Sequence, residues 1–237
     1  MLRTLYGFMI MWGYLFVSIP TLVRLKKLPS SMSVAERDEI VHKMPKHWAM
    51  KVVKSTGAKV EVNGLEHLPK GPVLFVSNHQ GNFDIPLLMA HIPKPLGFIS
   101  KIEVKKLPII SSWMELLPCV FMDRKDRRQA VKSIQVGADL LKAGHSLVIF
   151  PEGTRSKGGP ISEFKTGSFK LATKSSVPIV PITIDGSYKL FEEKGNRFYP
   201  GNVTITVNKP IQSEDYEQIS VKELSELVQN KIQENLK

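Results

Sequence analysis

Apolar residues follow two rhythms in this chain, and the change falls near residue 58. Before it, the spacing is helical. Thr4 to Val23 is an uncharged stretch of 20 residues between Arg3 and Arg24, about 30 Å long if helical. Gly7, Gly13, Ser18 and Pro20 dilute it, and Pro20 is expected to end or kink a helix near Ile19. Ser33-Val34-Ala35-Glu36 then has the form of a capping box. Val41, Met44, Trp48 and Val52 follow at spacings of three or four, with Arg37, Lys43, Lys46 and Lys54 mostly elsewhere on the wheel. This predicts a basic amphipathic helix that Pro45 bends or divides.

After residue 58, short β-rich runs recur at 59–62, 72–77, 96–100, 119–123, 146–150, 178–184 and 202–208. Helical patterns fall between several of them, at 84–91, 127–143 and 167–175. Ser220-Val221-Lys222-Glu223 opens a last helix with Leu224, Leu227, Val228 and Ile232 on its apolar face. The alternation predicts an α/β fold, a largely parallel or mixed sheet flanked by helices. The division expected is residues 1–57 as an N-terminal segment and 58–237 as the α/β domain.

Charge narrows the partners. There are 33 Lys and Arg against 22 Asp and Glu, a net +11, which favours a polyanion: nucleic acid or an anionic membrane surface. The uncharged run favours the membrane. Tyr6, Trp12 and Tyr14 are residues of the interfacial kind, and Arg24, Lys26 and Lys27 favour a cytoplasmic location for that end. A spanning helix and a half-inserted anchor both fit the length; a cleaved signal lacks a small-x-small site. The amphipathic helix is either packed on the domain or laid on the membrane surface. The lone cysteine, Cys119, excludes an internal disulfide framework.

Two stretches carry chemistry. Asn78-His79-Gln80-Gly81-Asn82-Phe83-Asp84 follows the run Val73–Val76. On a continuous helix His79 and Asp84 would not share a face. With His79 in the loop after the strand and Asp84 at a helix start, one ring nitrogen meets the carboxylate and the other remains an acceptor: a base with its orienter. The plain alternative is a capping Asp beside a polar loop His. Pro151-Glu152-Gly153-Thr154-Arg155-Ser156 follows Leu147–Phe150. Both stretches leave strands at the carboxyl end, where open α/β sheets bind ligands, and Arg155 can grip a phosphate bidentately. Asp123-Arg124 repeats the placement, whereas Lys125, Arg127 and Arg128 read as a solvated basic face. The other histidines (42, 47, 67, 91, 145) show no metal-ligand spacing with His79. Gly-x-Ser-x-Gly, Gly-x-Gly-x-x-Gly and Walker-type loops are missing, which removes support for serine hydrolysis, dinucleotide redox chemistry and nucleotide hydrolysis.

The blocks together resemble the glycerolipid acyltransferase family. Asn78-His79 with Asp84 is similar to its His-x4-Asp signature. Phe121-Met122-Asp123-Arg124, Phe150–Ser156 and Val177-Pro178-Ile179-Val180-Pro181 resemble its later blocks, in order, over roughly residues 58–210. Met122 stands where many members carry Ile or Val. The resemblance is greatest to members acting on lysophosphatidic acid. It implies acyl transfer from acyl-CoA or acyl-carrier protein to the sn-2 hydroxyl, giving phosphatidic acid, with no cofactor and no metal. It implies His79 and Asp84 as the catalytic pair and Arg124 and Arg155 on the acceptor's phosphate. Glu152, in the Glu152-Gly153-Thr154 turn, would position the glycerol, and Lys101 and Lys105 would be further acceptor contacts. The location implied is the cell membrane, catalytic domain on the cytoplasmic side, with membrane lipids and no nucleic acid as partners. Another acceptor, glycerol-3-phosphate or a different lysolipid, stays open within the family. Outside it stands a non-catalytic basic module that binds membrane or nucleic acid.

Overall fold

Runs that are apolar without alternation become the middle of a sheet, because a strand covered on both faces has no polar side. The computed structural model describes residues 1–236. Its seven strands are β1 (Lys59–Asn63), β2 (Leu74–Ser77), β3 (Gly97–Lys101), β4 (Val120–Met122), β5 (Leu147–Ile149), β6 (Ile179–Asp185) and β7 (Asn202–Val207). They form one sheet in the order β1-β7-β6-β2-β5-β3-β4. All seven β-rich runs are strands. β2 and β5 are buried throughout, while β1 and β7 alternate between covered and exposed positions.

Pairing between neighbours is parallel except for β6 with β7. The carboxyl ends of β2, β3, β4, β5 and β6 therefore reach one edge of the sheet, and the loops leaving them meet there. Successive side chains of β2 divide between two cores. Phe75 packs with Leu87, Leu88, Val52 and Val53 on one face; Leu74 and Val76 pack with Ile134, Leu171 and Val228 on the other. The first face is covered by α3 (Val34–Thr56) and α4 (Asp84–His91), the second by α6 (Arg127–Lys142), α7 (Lys170–Ser175) and α9 (Val221–Gln233). Truncating Phe75, fully buried, to Ala should cost about 3–5 kcal/mol.

The capping box at Ser33 is present, with Glu36 N–H donating to the Ser33 hydroxyl at 3.3 Å. Pro45 does not divide α3, contrary to one expectation; the helix runs unbroken through it. The proline removes one backbone bond, and burial of Val41, Ala49, Val52 and Val53 around it holds the helix together. That burial also decides between the two readings of this helix. Its apolar face is spent on the domain, and Lys43, Lys51 and Lys54 are exposed.

The N-terminal run forms α1 (Leu2–Val17) and α2 (Ile19–Leu25), bent by 41° at their junction. Pro20 sits in the first turn of α2, where its missing N–H breaks no helical bond. Ser18 between them is buried; its hydroxyl donates to Leu15 O at 2.6 Å and accepts from Trp113 Nε1 at 2.8 Å. Among the described residues no single helix is long and apolar enough to cross a membrane, although the bent pair together meets that length and composition. One side of α1 is fixed to the domain. A Cβ on Gly7 would lie 2.1 Å from the Phe198 ring, Arg3 Nη1 donates to Thr56 O at 3.2 Å, and Trp48 Nε1 donates to Met11 O at 3.1 Å. The other side leaves Leu2, Leu5, Met9, Trp12 and Phe16 exposed, a stripe at helical spacing. Two helices come without a sequence-based expectation, α5 (Pro108–Leu116) and the single turn α8 (Ser213–Tyr216). Pro108 in the first turn, with Ile109, Trp113 and Leu116 on one side, is the signal that would have revealed α5.

Candidate active site

Asp84 is the first residue of α4 and caps nothing; the N-cap position is Phe83. Its fully buried side chain turns back into the loop instead. Oδ2 lies 2.6 Å from His79 Nδ1 and accepts from the Gln80 N–H at 2.7 Å and the Gly81 N–H at 2.9 Å. Oδ1 accepts from the Ser187 hydroxyl, also fully buried. An ionised carboxylate only accepts, so the proton between the pair belongs to His79 Nδ1 and Nε2 is left with its lone pair. Nε2 bonds to no described residue, and the imidazole is about one-fifth exposed. The ring stacks on Phe150, centroids 4.2 Å apart, which fixes its plane. This is a histidine held in one tautomer with a basic nitrogen facing outward.

The loop that carries it is tied to both neighbouring loops. Glu152 is buried; its Oε1 accepts from the His79 N–H at 2.6 Å and its Oε2 from the Ser162 N–H at 3.0 Å. Burial raises its carboxyl pKa, against lowering by those two N–H donors and the His79 charge. Both oxygens are thus engaged by the chain, so Glu152 braces the loop after β5 against the loop after β2. On the other side, the Gln80 side-chain oxygen accepts from the N–H groups of Gly186 and Ser187 at 2.8 and 3.2 Å. Asn78, buried, exchanges both amide bonds with the backbone of Ile184, each 2.8 Å.

Cations surround this frame. Arg155 Nη1 lies 3.3 Å from Glu192 Oε1, which also accepts from the Asn82 N–H at 2.7 Å. Arg124 donates from Nη1 to Gly153 O. Gly153 needs to be glycine: φ is 72°, and a Cβ there would stand 2.7 Å from Lys165 Nζ and 3.5 Å from Arg124 Nη1. Its N–H donates to Phe150 O at 3.1 Å. Thr154 is exposed beside it. Lys101 ends β3, and Lys105, on the turn that follows, places Nζ 5.3 Å from the Phe121 ring centroid.

Two cavities flank the loop. An apolar channel of about 270 Å³ runs under α1 and between α3 and α5. Asn82, Ile85 and Pro86, from the loop and the start of α4, belong to its wall, and no charged side chain does. A second cavity, of about 420 Å³, opens on the other side of Phe150, between α6 and α7.

A half-buried, pre-oriented histidine at the carboxyl edge of the sheet, with a charge-free channel beside its loop and guanidinium groups on neighbouring loops, is the arrangement of a group-transfer site. The family model described as Acyltransferase matches residues 59–185, more than half of the chain, and the chain belongs to that family. The chloroplast 1-acyl-sn-glycerol-3-phosphate acyltransferase of Arabidopsis thaliana is 40% identical over 156 residues, 65% of this chain and 44% of that protein. A probable 1-acyl-sn-glycerol-3-phosphate acyltransferase of Mycoplasma pneumoniae is 37% identical over 177 residues, 69% of this chain and 65% of that protein. The chain thus spans between 44% and 65% of the length of these curated relatives. The crystal structure of the 1-acyl-sn-glycerophosphate (LPA) acyltransferase PlsC from Thermotoga maritima is similar throughout. Its TM-score is 0.85 at 28% identity, covering 98% of this chain and 92% of that one.

Sequence reasoning found the dyad, and the structure brings its two members together. It singled out Glu152 for the acceptor's glycerol; the loop-bracing bonds to the His79 and Ser162 N–H groups came only with the structure. It missed Ser187, Gln80, Phe150 and Glu192. Ser187 follows Gly186, at φ 89°, directly after β6; a glycine turn at the end of a central strand was the available signal.

Proposed function

We propose that this chain transfers an acyl group from a thioester donor, acyl-CoA or acyl-carrier protein, to the sn-2 hydroxyl of lysophosphatidic acid, giving phosphatidic acid in phospholipid synthesis. The observation that carries the reading is the His79 Nδ1–Asp84 Oδ2 bond of 2.6 Å with Nε2 left open. Relatives that carry this activity in their names support the choice of substrates.

In this mechanism Nε2 takes the proton of the acceptor hydroxyl as its oxygen attacks the thioester carbonyl. Asp84 stabilises the imidazolium that forms, and Ser187 with the Gln80 and Gly81 N–H groups keeps the carboxylate in place. The imidazolium then protonates the departing thiolate. A thiolate is a good leaving group, so the alcohol is acylated directly, and the reaction calls for no metal and no cofactor. Arg124 and Arg155 hold the acceptor phosphate, with Lys101 and Lys105 further out. The charge-free channel beginning at Asn82 and Ile85 suits an acyl chain, since its wall is mostly apolar and a charged group would cost there.

Of residues 1–57, α1 and α2 act as the anchoring segment, while α3 packs on the catalytic unit of 58–237. The exposed stripe of α1 enters one leaflet while Gly7, Arg3 and Met11 hold its other side to the domain. The protein then lies on the cytoplasmic face of the cell membrane, held also by its positive charge on anionic lipid. The deciding experiment measures phosphatidic acid formed from lysophosphatidic acid and acyl-CoA by wild type and His79→Ala, with glycerol-3-phosphate and other lysolipids as competing acceptors. Preference for another acceptor overturns the substrate; undiminished turnover by folded His79→Ala overturns the mechanism.

A further inference from the structure

Apart from Arg124 at its inner end, the cavity between α6 and α7 is not used by the mechanism above, and its wall has an unusual make-up. Its floor is apolar, formed by Ile99, Met122, Ile134 and Ile149 among others, and its charged groups are Arg124, Arg127, Lys165, Lys170 and Lys174 with no acidic residue. None of the five forms an ion pair with a described carboxylate. Arg127 is exposed, as expected of a solvated basic face, and it also lines this cavity.

The five cations divide by position. Arg124 and Lys165 converge on Gly153, next to the brace between Glu152 and His79. Arg127, Lys170 and Lys174 lie further out. Arg127 opens α6. Lys174 is one turn beyond Lys170 on α7, and its Nζ donates to Gln135 Oε1 at 2.6 Å. Gln135 is eight residues past Arg127, or about 12 Å along α6. α7 leads into the start of β6, so it runs away from the edge that holds His79.

The two substrates of the proposed reaction differ in where their phosphates lie. In the acceptor, two carbons and one oxygen separate the reacting oxygen from the phosphorus. That phosphate must stay near His79, within reach of the inner cations. In the donor, a long uncharged pantetheine arm separates the reacting thioester from its first phosphate. An apolar floor that starts at Phe150, on which His79 stacks, passes Arg124 and Lys165 at its inner end and continues to three more cations further out matches the second arrangement, with the outer three left for a phosphate remote from the reacting bond. The other cavity has no charged group to meet a phosphate.

Resting on the acyl-transfer reading, we propose that the α6–α7 cleft holds the phosphopantetheine part of the acyl donor, with Arg127, Lys170 and Lys174 binding the donor's phosphates. The test uses full-length protein in mixed micelles with lysophosphatidic acid and three palmitoyl thioesters: of pantetheine, of 4′-phosphopantetheine and of coenzyme A. The variant is Arg127→Gln/Lys170→Gln/Lys174→Gln; all three side chains are exposed, and circular dichroism confirms its fold. KM for the coenzyme A thioester should rise about tenfold or more, the loss expected for several charge-assisted phosphate contacts. KM for the phosphopantetheine thioester should rise as well. KM for lysophosphatidic acid should hold, and with the pantetheine thioester, which carries no phosphate, variant and wild type should converge. Lys170→Glu alone should exceed the effect of Lys170→Gln, because it adds repulsion to the lost contact. An equal change with all three donors, no change with any, or a rise confined to lysophosphatidic acid overturns the proposal. Wild type failing to acylate lysophosphatidic acid from every donor overturns the acyl-transfer reading instead, so the two failures are distinguishable.

Discussion

Two histidine–carboxylate pairs in this protein have the same short distance and opposite surroundings. His79 and Asp84 meet at 2.6 Å on the carboxyl edge of the sheet; His145 and Asp38 meet at 2.6 Å on the opposite edge, where α3 passes the start of β5. The bond length therefore does not distinguish a base from a tie. The first pair has a carboxylate with four donors, a ring stacked on Phe150, an Nε2 without a described partner, and two cavities lined by the residues next to it. The second joins a helix to a strand entry 107 residues away, with neither cavity beside it. Catalytic character comes from what the free nitrogen faces and how firmly the other is held.

The strongest test exchanges the two histidines' roles. His79→Ala should reduce acyl transfer to background with a smaller loss of stability than His145→Ala, since the buried Asp84 keeps its three other donors. His145→Ala should keep turnover in the folded protein while lowering stability by about 1–3 kcal/mol, since a mostly buried carboxylate loses its partner. Paired measurements of kcat and chemical denaturation settle it; loss of turnover without loss of stability in His145→Ala would collapse the contrast.

Asp84→Asn comes next, with a fall of roughly 10²–10⁴ in kcat, because an amide offers its NH2 or its oxygen where three donors now converge and spoils the tautomer. A smaller effect is expected for Ser187→Ala. About tenfold in kcat, with little change in either KM, is the size of one hydrogen bond to a charged group. Rescue by Ser187→Thr would separate this positioning role from simple packing, and a change in KM alone would count against it.

The arginines sit at the loose end of the same site, and their effect should fall on binding. Arg124→Ala and Arg155→Lys should weaken use of the acceptor by about 1.5–3 kcal/mol, with the donor's KM steady. Steady-state kinetics with both substrates varied decides it, and a collapse confined to the donor would reassign them.

The smallest effect concerns pH at the far edge. His42, one turn from Asp38, accepts the Leu96 N–H on Nε2 at 2.5 Å, and its Nδ1 is buried without a partner. Burial lowers its pKa, opposed by the Leu96 and Asp38 carbonyls and the Asp38 charge, with Lys46 lowering it further. A histidine with a folded pKa below its unfolded value stabilises fully above about pH 6.5, and that contribution is lost as pH falls below it. Stability should therefore decline by at most about 1.4 kcal/mol per pH unit between pH 6.5 and 5.5. His42→Gln should flatten the decline in denaturation curves. An unchanged slope in that variant would place the pH sensitivity elsewhere.

The sequence by itself determined the strands, the two capping boxes, the bend near Ile19 and the His79–Asp84 pair. Each is set by residues within a few positions of one another: unbroken apolar runs, Ser with Glu three residues on, a proline in a first turn, a glycine-containing turn between base and carboxylate. Only the tertiary structure decided the rest. Helical spacing does not say whether an apolar face is covered, and packing decided that, since Val41 and Val52 found cover and Leu5 and Phe16 did not. Ser187 reaches Asp84 across 103 residues, His79 bonds Glu152 across 73, and His145 meets Asp38 across 107. No local pattern encodes such meetings. The first two follow from strand order, which lays β6, β2 and β5 side by side and brings three distant loops to one edge, and the third from α3 packing across the sheet to the start of β5.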